Sequence, residues 1–414
     1  MDELDIPQYF ICPISLQIMK DPVTTIYGIT YDRESIERWL LTAADEGHSA
    51  AVCPVTKQLL PLMNSDLTPN HMLRRLIQAW CIANAKSGIE RIPTPRSPVN
   101  KSVVFKLIRD LKSGNPLLHL NAIKKLDEFA KDKEKNQKPM AEAGVPKAMI
   151  FLILKRFREG KSLFLEEALR ILQLTWIPTE ENKKIVEENF DLVQSLLWVL
   201  SSDHEVENIS RIHALKMLKN VTEVAKTSLL ERLKLGFFTE MVNILHKNKS
   251  PQDNKAVLHV LIQTSPFGRN RMKIVEAGAI FEVMELELNN PDKKTTELIF
   301  CLLANLCTCA DGRQQFLKHA GGIALAAKRL LRISPTTDDR ALCIMESIAR
   351  FSATREVVSE MLRVSAVSKL CMVLQADCAG YLKNKARDIL RLHNYAWSNS
   401  PCIQVYLLTW YTRG

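Results

Sequence analysis

Two rhythms of apolar residues divide this chain. From about residue 101 almost to the C-terminus, apolar positions recur with helical spacing, and Pro and Gly are confined to junctions, which predicts helix after helix. The first 80 residues read differently. Val23-Thr24-Thr25-Ile26-Tyr27-Gly28-Ile29-Thr30-Tyr31 is rich in β-branched and aromatic residues, with Gly28 as a turn, and predicts a small hairpin. Asp32 stands where it could cap a helix starting at Arg33, whose apolar positions Ile36, Trp39 and Leu40 share one face. Thr42 to Val52 reads as a polar loop. Asn70 caps a second helix, with Leu73, Leu76, Ile77 and Trp80 as its apolar stripe. Ile92-Pro93-Thr94-Pro95-Arg96-Ser97-Pro98 marks an extended linker. The expected division is therefore a small α+β domain over 5–80, a Pro-rich linker over 81–100, a helical array over 101–397 and a tail over 398–414. The tail holds Val405-Tyr406-Leu407-Leu408-Thr409-Trp410-Tyr411 and either caps the array or hangs from it.

The array repeats. A polar helix start, a small-residue corner and an aliphatic helix recur, most clearly at Ala277-Gly278-Ala279 and Ala320-Gly321-Gly322, more weakly at Gly144, Asn189, Gly236 and Ser365. Successive corners are 45, 47, 42, 43 and 44 residues apart. That period belongs to armadillo or HEAT solenoids, and a glycine corner in a three-helix layout resembles the armadillo type. The longer helices are expected over Glu166–Thr175, Ile212–Val221, Ala256–Ile262, Leu298–Leu306, Ala341–Ile348 and Lys385–Leu392. Such a unit cannot bury its apolar face alone, so stacking supplies the core.

With 46% hydrophobic and 25% charged residues the chain has the make-up of a folded protein. Its charge of +10 is uneven: residues 1–80 hold six Lys/Arg against ten Asp/Glu, so the array carries the positive excess. That excess suits a solvated helical exterior, or else acidic protein surfaces, anionic lipid or nucleic acid. The ten cysteines form no disulfide framework, the N-terminus Met1-Asp2-Glu3-Leu4-Asp5 does not read as a signal peptide, and no run approaches the roughly 18 apolar residues of a membrane span. A cytoplasmic or nuclear protein with reduced thiols is expected. Zinc is disfavoured in the first domain, where Cys12, Cys53, His48 and His71 are too few for two tetrahedral sites. No phosphate loop, carboxylate pair or hydrolase signature marks a second catalytic centre.

Five blocks of the first domain carry a resemblance: Phe10-Ile11-Cys12-Pro13-Ile14-Ser15-Leu16, Met19-Lys20-Asp21-Pro22-Val23, Gly28-Ile29-Thr30-Tyr31-Asp32-Arg33, Cys53-Pro54-Val55-Thr56 and Leu67-Thr68-Pro69-Asn70. Together they are similar to the U-box of ubiquitin ligases, a zinc-free, RING-shaped module, and the whole layout resembles plant U-box proteins with armadillo repeats. The fold class implied is mainly α, a small α+β U-box followed by an armadillo solenoid. The resemblance implies no cofactor, no nucleic-acid partner and no covalent ubiquitin on this chain. A ubiquitin-conjugating enzyme (E2) charged with ubiquitin is held by the box, a protein substrate by the repeats, and self-association of the box is open. Regulation of plant immune or stress signalling is implied in the same way.

For the E2 contact the resemblance points to Ile14, Leu16, Trp39 and Pro54, with Lys57 bridging E2 and ubiquitin. Periodicity alone leaves Trp39 between core and contact, and Lys57 between contact and ordinary surface. Cys12, Asp21, Arg33, Cys53 and Asn70 are expected to hold the box together, with Ser15, Glu34 and Thr56 as further candidates and no pairing legible. Cys12 and Cys53 read as structural rather than nucleophilic, since no basic cluster adjoins them in sequence. Compared with the Trp–Asn ladder of nuclear-import carriers, the array keeps Asn220 and Asn305 but places Arg170, Lys216, His259 and Cys301 at the Trp positions. Arg170, Lys216, Asn220 and Asn305 are therefore substrate-groove candidates, suited to an acidic or phosphorylated partner. A ligase, a non-catalytic adaptor and an armadillo scaffold all remain compatible with the residues.

Overall fold

The computed structural model describes residues 6–45, 50–61, 67–84, 99–113, 115–132, 134–201, 208–247, 250–401 and 403–405. The chain separates into two compact units, divided between residues 97 and 98. In the first, strands β1 (Pro22–Thr24), β2 (Thr30–Asp32) and β5 (Thr68–Pro69) form an antiparallel sheet ordered β2-β1-β5, with Val23 opposite both Tyr31 and Pro69. Strands β3 (Ala50–Val52) and β4 (Leu59–Pro61) make a separate hairpin. Helix α1 (Arg33–Asp45) follows β2, and α2 (His71–Ala83) follows β5. Their core is Phe10, Cys12, Met19, Val23, Tyr31, Ile36, Leu40, Cys53, Ile77 and Cys81.

Several expectations shift here. Helix α1 runs on to Asp45 and β3 begins at Ala50, so the expected loop over 42–52 is mostly regular structure. Asp32 does not cap α1: its Oδ1 accepts the backbone N–H groups of Lys20 and Asp21, both at 2.8 Å. On α2 the buried line passes through Leu73, Ile77, Trp80 and Cys81, and Leu76 is left 53% exposed. Cys81 and the last turn of α2 thus belong to the packed box rather than the linker. The linker residues 85–98 and tail residues 406–414 lie outside the described residues.

The second unit opens with a helix pair, α3 (Lys101–Lys112) and α4 (Pro116–Asp132), and continues as six triplets. These are α5 (Glu134–Glu142), α6 (Val145–Glu159), α7 (Leu165–Thr175); α8 (Glu180–Glu188), α9 (Asp191–Ser201), α10 (Asn208–Val224); and α11 (Thr227–Glu231), α12 (Leu235–Lys247), α13 (Pro251–Thr264). Then come α14 (Asn270–Glu276), α15 (Ala279–Leu288), α16 (Lys293–Leu306); α17 (Ala310–Lys318), α18 (Gly322–Arg329), α19 (Pro335–Phe351); and α20 (Arg355–Arg363), α21 (Ala366–Gln375), α22 (Gly380–Leu392), before a short α23 (Asn394–Trp397). The long helices α4, α7, α10, α13, α16, α19 and α22 each touch the next, forming one continuous ladder. Helices α13, α16 and α19 begin earlier than apolar periodicity suggests because polar caps start them: Ser250 ahead of Pro251, Asp292 ahead of Lys293, Ser334 ahead of Pro335.

The corners are of two kinds. Gly144 and Gly278 take φ of 84° and 85°, a left-handed turn that glycine adopts without strain, and Ser365 takes φ 60°. Asn189 and Gly321 have negative φ, and Gly236 lies inside α12. A second device is absent from the sequence reading. Buried Asn182 donates to Ile177 O in the loop after α7, and Asn136, Asn270 and Arg313, also buried, donate from near the start of a first helix to carbonyls at the end of the preceding long helix. Those carbonyls have lost their helical partners, and a buried unpaired carbonyl is costly. Asn270 also reaches back to Leu230 O at 2.8 Å and so ties two repeats together.

One ion pair is buried between repeats. Arg329 Nε of α18 meets Glu287 Oε1 of α15 at 2.5 Å, with side chains 14% and 0% exposed. Burial pushes the Glu287 carboxyl up, while Arg329 and the Thr296 hydroxyl oppose the rise. Arg329→Met leaves that carboxylate without its cation and should lower solenoid stability by about 3 kcal/mol at neutral pH in a denaturant titration. The deficit should shrink as pH falls, because a protonated carboxyl no longer needs the partner. A loss below ~1 kcal/mol would show that the pair holds nothing.

Candidate functional site

The box presents two loops of one design. Cys12-Pro13-Ile14-Ser15-Leu16-Gln17 and Cys53-Pro54-Val55-Thr56-Lys57-Gln58 match position by position. Each closes with the cysteine N–H donating to the glutamine carbonyl, at 2.8 Å in both, and the fifth residue donating back to the cysteine carbonyl, at 2.9 and 3.0 Å. The fifth residues, Leu16 and Lys57, take left-handed φ of 55° and 60°. That backbone turns them outward: Leu16 is 77% exposed and Lys57 is exposed.

Both cysteines are fully buried, and each sulfur is the hub of its loop. Cys12 Sγ accepts the Asp32 N–H at 3.3 Å, while Cys53 Sγ receives the Thr56 N–H at 3.4 Å and the Tyr31 hydroxyl at 3.1 Å. Burial raises the Cys53 thiol, but the Thr56 and Tyr31 hydroxyls and the amides of Thr56 and Val55 outweigh it and bring it down to about 7. Tyr31 moves the other way, its phenol pushed well above the usual range by burial and by Cys53, so the phenol keeps its proton beside the sulfur. Cys12 is likewise lowered: burial opposes, and hydrogen bonds from Ser15, Asp32 and Ile14 prevail. Two consecutive residues of β2 therefore hang both loops, Tyr31 through its side chain and Asp32 through its backbone.

Asp21 is the second anchor. Its carboxylate meets Arg33 Nε of α1 at 2.9 Å and Arg74 Nη1 of α2 at 3.0 Å, and its carbonyl accepts the Arg33 N–H. Asn70 caps α2 by accepting the Leu73 N–H at 3.0 Å and donates its own N–H to Pro22 O. Asp21, Arg33 and Asn70 thus acquire partners that the residues alone did not reveal. Glu34 does not join them; it pairs with Arg38 on the helix surface.

Trp39 is 43% exposed, although it follows the apolar spacing of α1, and its indole N–H donates to Val52 O at 3.0 Å at the entrance of the second loop. Ile14 and Pro54 are half-buried, and Val55, the counterpart of Ile14, is 50% exposed. Sequence reasoning passed over Val55, Tyr31 and Arg74. Aligning the two Cys-Pro-aliphatic-Ser/Thr-x-Gln blocks on each other would have found the first. Among the described residues no group of three or more His, Cys, Asp or Glu could hold a metal ion.

The ladder candidates fare differently. Arg170 is not an open groove cation: it grips Asp127 through two bonds of 2.8 and 3.0 Å and Glu166 at 2.6 Å. Burial would raise the Asp127 carboxyl, but Arg170 and Lys131 hold it below the usual carboxylate range. Asn305 donates to Ser265 Oγ at 3.3 Å across to the preceding repeat, and His213 pairs with Gln173 in the same manner. Lys216 is exposed and Asn220 half-buried. Of the two cationic candidates, Arg170 is therefore answered within the protein and Lys216 faces solvent.

A family model described as the U-box domain matches residues 6–86, and one described as the plant U-box protein ARM repeat region matches residues 104–413. This chain is a plant U-box protein with armadillo repeats. It is 41% identical to E3 ubiquitin-protein ligase PUB24 of Arabidopsis thaliana, over 99% of this chain and 96% of that one, and 40% identical to PUB23 of the same plant, over 97% and 96%. An engineered protein crystal structure superposes with a TM-score of 0.53 at 19% identity, covering 71% of this chain and 68% of the other, a likeness of fold. In this U-box protein the loops and anchors above make up the frame of the first unit.

Two outcomes test that frame. Asp21→Ala strands Arg33 and Arg74 and should destabilise the box by about 1–2 kcal/mol, since these side chains are partly exposed and solvent screens part of the pair energy. Because the folded Cys53 thiol ionises below its ordinary value of 9.0, its contribution is full above that value and lost as pH falls through about 7. Thermal stability of the box should therefore rise from neutral to mildly alkaline pH, and Cys53→Ser should flatten that rise.

Proposed function

We propose that this U-box E3 ubiquitin-protein ligase holds a ubiquitin-charged E2 on the patch formed by Ile14, Leu16, Trp39, Pro54 and Val55, with Lys57 beside it reaching toward the bound ubiquitin. The observation that supports this most is the matched pair of loops. They are rigidly hung from β2, and between them and Trp39 they turn apolar side chains to solvent from a small, well-braced domain. A modest apolar patch with one aromatic anchor suits a weak, exchangeable partner. Neither sulfur is available as a ubiquitin carrier, since both are buried and engaged. Catalysis is then positioning: the E2 supplies the thioester, the box orders the conjugate, and each ~1.4 kcal/mol of ordering is worth tenfold in rate.

The armadillo ladder is read as the seat of a protein substrate. With Arg170 engaged internally, Lys216 and Asn220 are the groove positions that favour it. Self-modification of the chain, and pairing of two boxes through the exposed side of α2, fit the same reading. The proposal includes a role in immune or stress signalling, carried from the resemblance to plant U-box proteins, and a cytoplasmic or nuclear site, carried from the scattered cysteines and the acidic N-terminus. No helix among the described residues is long and apolar enough to cross a membrane.

Trp39→Ala, Ile14→Ala and Val55→Ala should each slow discharge of ubiquitin from a charged E2 by about tenfold or more, with folding intact by circular dichroism. E2 resonances that shift on titration with the wild-type protein should stay still with Trp39→Ala. Undiminished discharge by all three variants would remove the patch from the mechanism.

A further inference from the structure

On the ladder, equivalent positions 42 residues apart in α16, α19 and α22 hold Cys301, Cys343 and Lys385. The last two meet. Lys385 Nζ lies 3.0 Å from Cys343 Sγ and 2.6 Å from Asp339 Oδ1, so one amine is held between a thiol and a carboxylate of the neighbouring repeat. Two other partly exposed thiols make their hydrogen bonds to backbone: Cys309 donates to Leu306 O and Cys378 to Val373 O. The helices on either side are firmly seated, with Leu342, Ile344, Leu382 and Ala386 in the core, so the pair cannot drift apart easily. Cys343 and Lys385 themselves are only half-buried, which leaves the sulfur open to a small oxidant.

We propose that Cys343 and Lys385 are a redox modification site, where hydrogen peroxide drives a reversible covalent cross-link between two consecutive armadillo repeats. Peroxide transfers one oxygen to the Cys343 sulfur, giving a sulfenic acid and water. The Lys385 ammonium passes a proton to Asp339 and on to solvent. The amine lone pair then attacks the sulfur, an S–N bond forms, the S–O bond breaks, and the hydroxyl leaves as water with a second amine proton. Thiol, peroxide and ammonium become a sulfenamide, two waters and a proton; the sulfur is oxidised by two electrons and the peroxide reduced. Two equivalents of an added thiol return the cysteine and the amine and leave as a disulfide. The link fixes α19 against α22 and removes one positive charge from the ladder, so the groove changes both stiffness and charge. The site is independent of the E2 patch and of how the box works.

The test treats the full-length protein with hydrogen peroxide and reads intact mass and peptide maps. The expected result is a loss of about 2 Da, one linked peptide pair containing residues 343 and 385, and reversal by dithiothreitol. Linkage should form faster at alkaline pH, where the amine sheds its proton more readily. Lys385→Arg keeps the charge opposite Asp339, and Cys343→Ser keeps the side-chain volume, so both variants should fold, and both should lose the linked pair. The proposal is overturned if Cys343 accumulates as sulfinic or sulfonic acid while Lys385 still takes an amine label. It is equally overturned if Cys343 stays reduced, or if the mass loss persists in Lys385→Arg, which would assign it to a disulfide.

Discussion

The frame of the box rests on two buried sulfur atoms held in hydrogen bonds. A loop of six residues cannot bury enough apolar surface to hold its own shape. Here each loop is wound round a buried cysteine whose sulfur accepts N–H or O–H donors, and both are hung from Tyr31 and Asp32. Asp21 then ties the loop side of the sheet to α1 and α2 through two arginines. The exposed Leu16, Val55, Trp39 and Lys57 are consequences of this frame: the left-handed fifth residue and the anchored indole leave them nowhere else to go.

The solenoid obeys a different constraint. No triplet has a core of its own, so stability lies in interfaces, and the recurrent polar ties appear where helices end and carbonyls would be orphaned. Asn136, Asn270 and Arg313 answer that need in three repeats. The same logic draws Arg170, Asn305 and Lys385 into contacts one repeat away. Within such a ladder Arg170 and Lys385 are answered by carboxylates one repeat away, while Lys216 stays exposed and the array as a whole keeps its positive excess.

Much of this was legible beforehand because it depends on local pattern. The repeat period, the long helices, the Asn70 cap and the hairpin around Gly28 follow from spacing and propensity, which neighbours in sequence express directly. The same local logic misjudged Asp32, whose carboxylate found better donors 11 and 12 residues away, and Leu76, which fits the helical stripe yet faces solvent because α2 turns Cys81 inward instead. Arg170 looked like an open cation because its partner Asp127 is 43 residues distant.

The amino-acid sequence by itself determined the two-part architecture, the repeat register, and which cysteines and aromatics stand at the candidate site. Hydrophobic periodicity and short motifs are properties of neighbours in the chain, and they need no fold to be read. Only the tertiary structure decided who pairs with whom: Tyr31 with Cys53, Asp21 with Arg33 and Arg74, Glu287 with Arg329, Lys385 with Cys343. Each of those partnerships is set by which surfaces are buried together, and burial is a property of the packed whole.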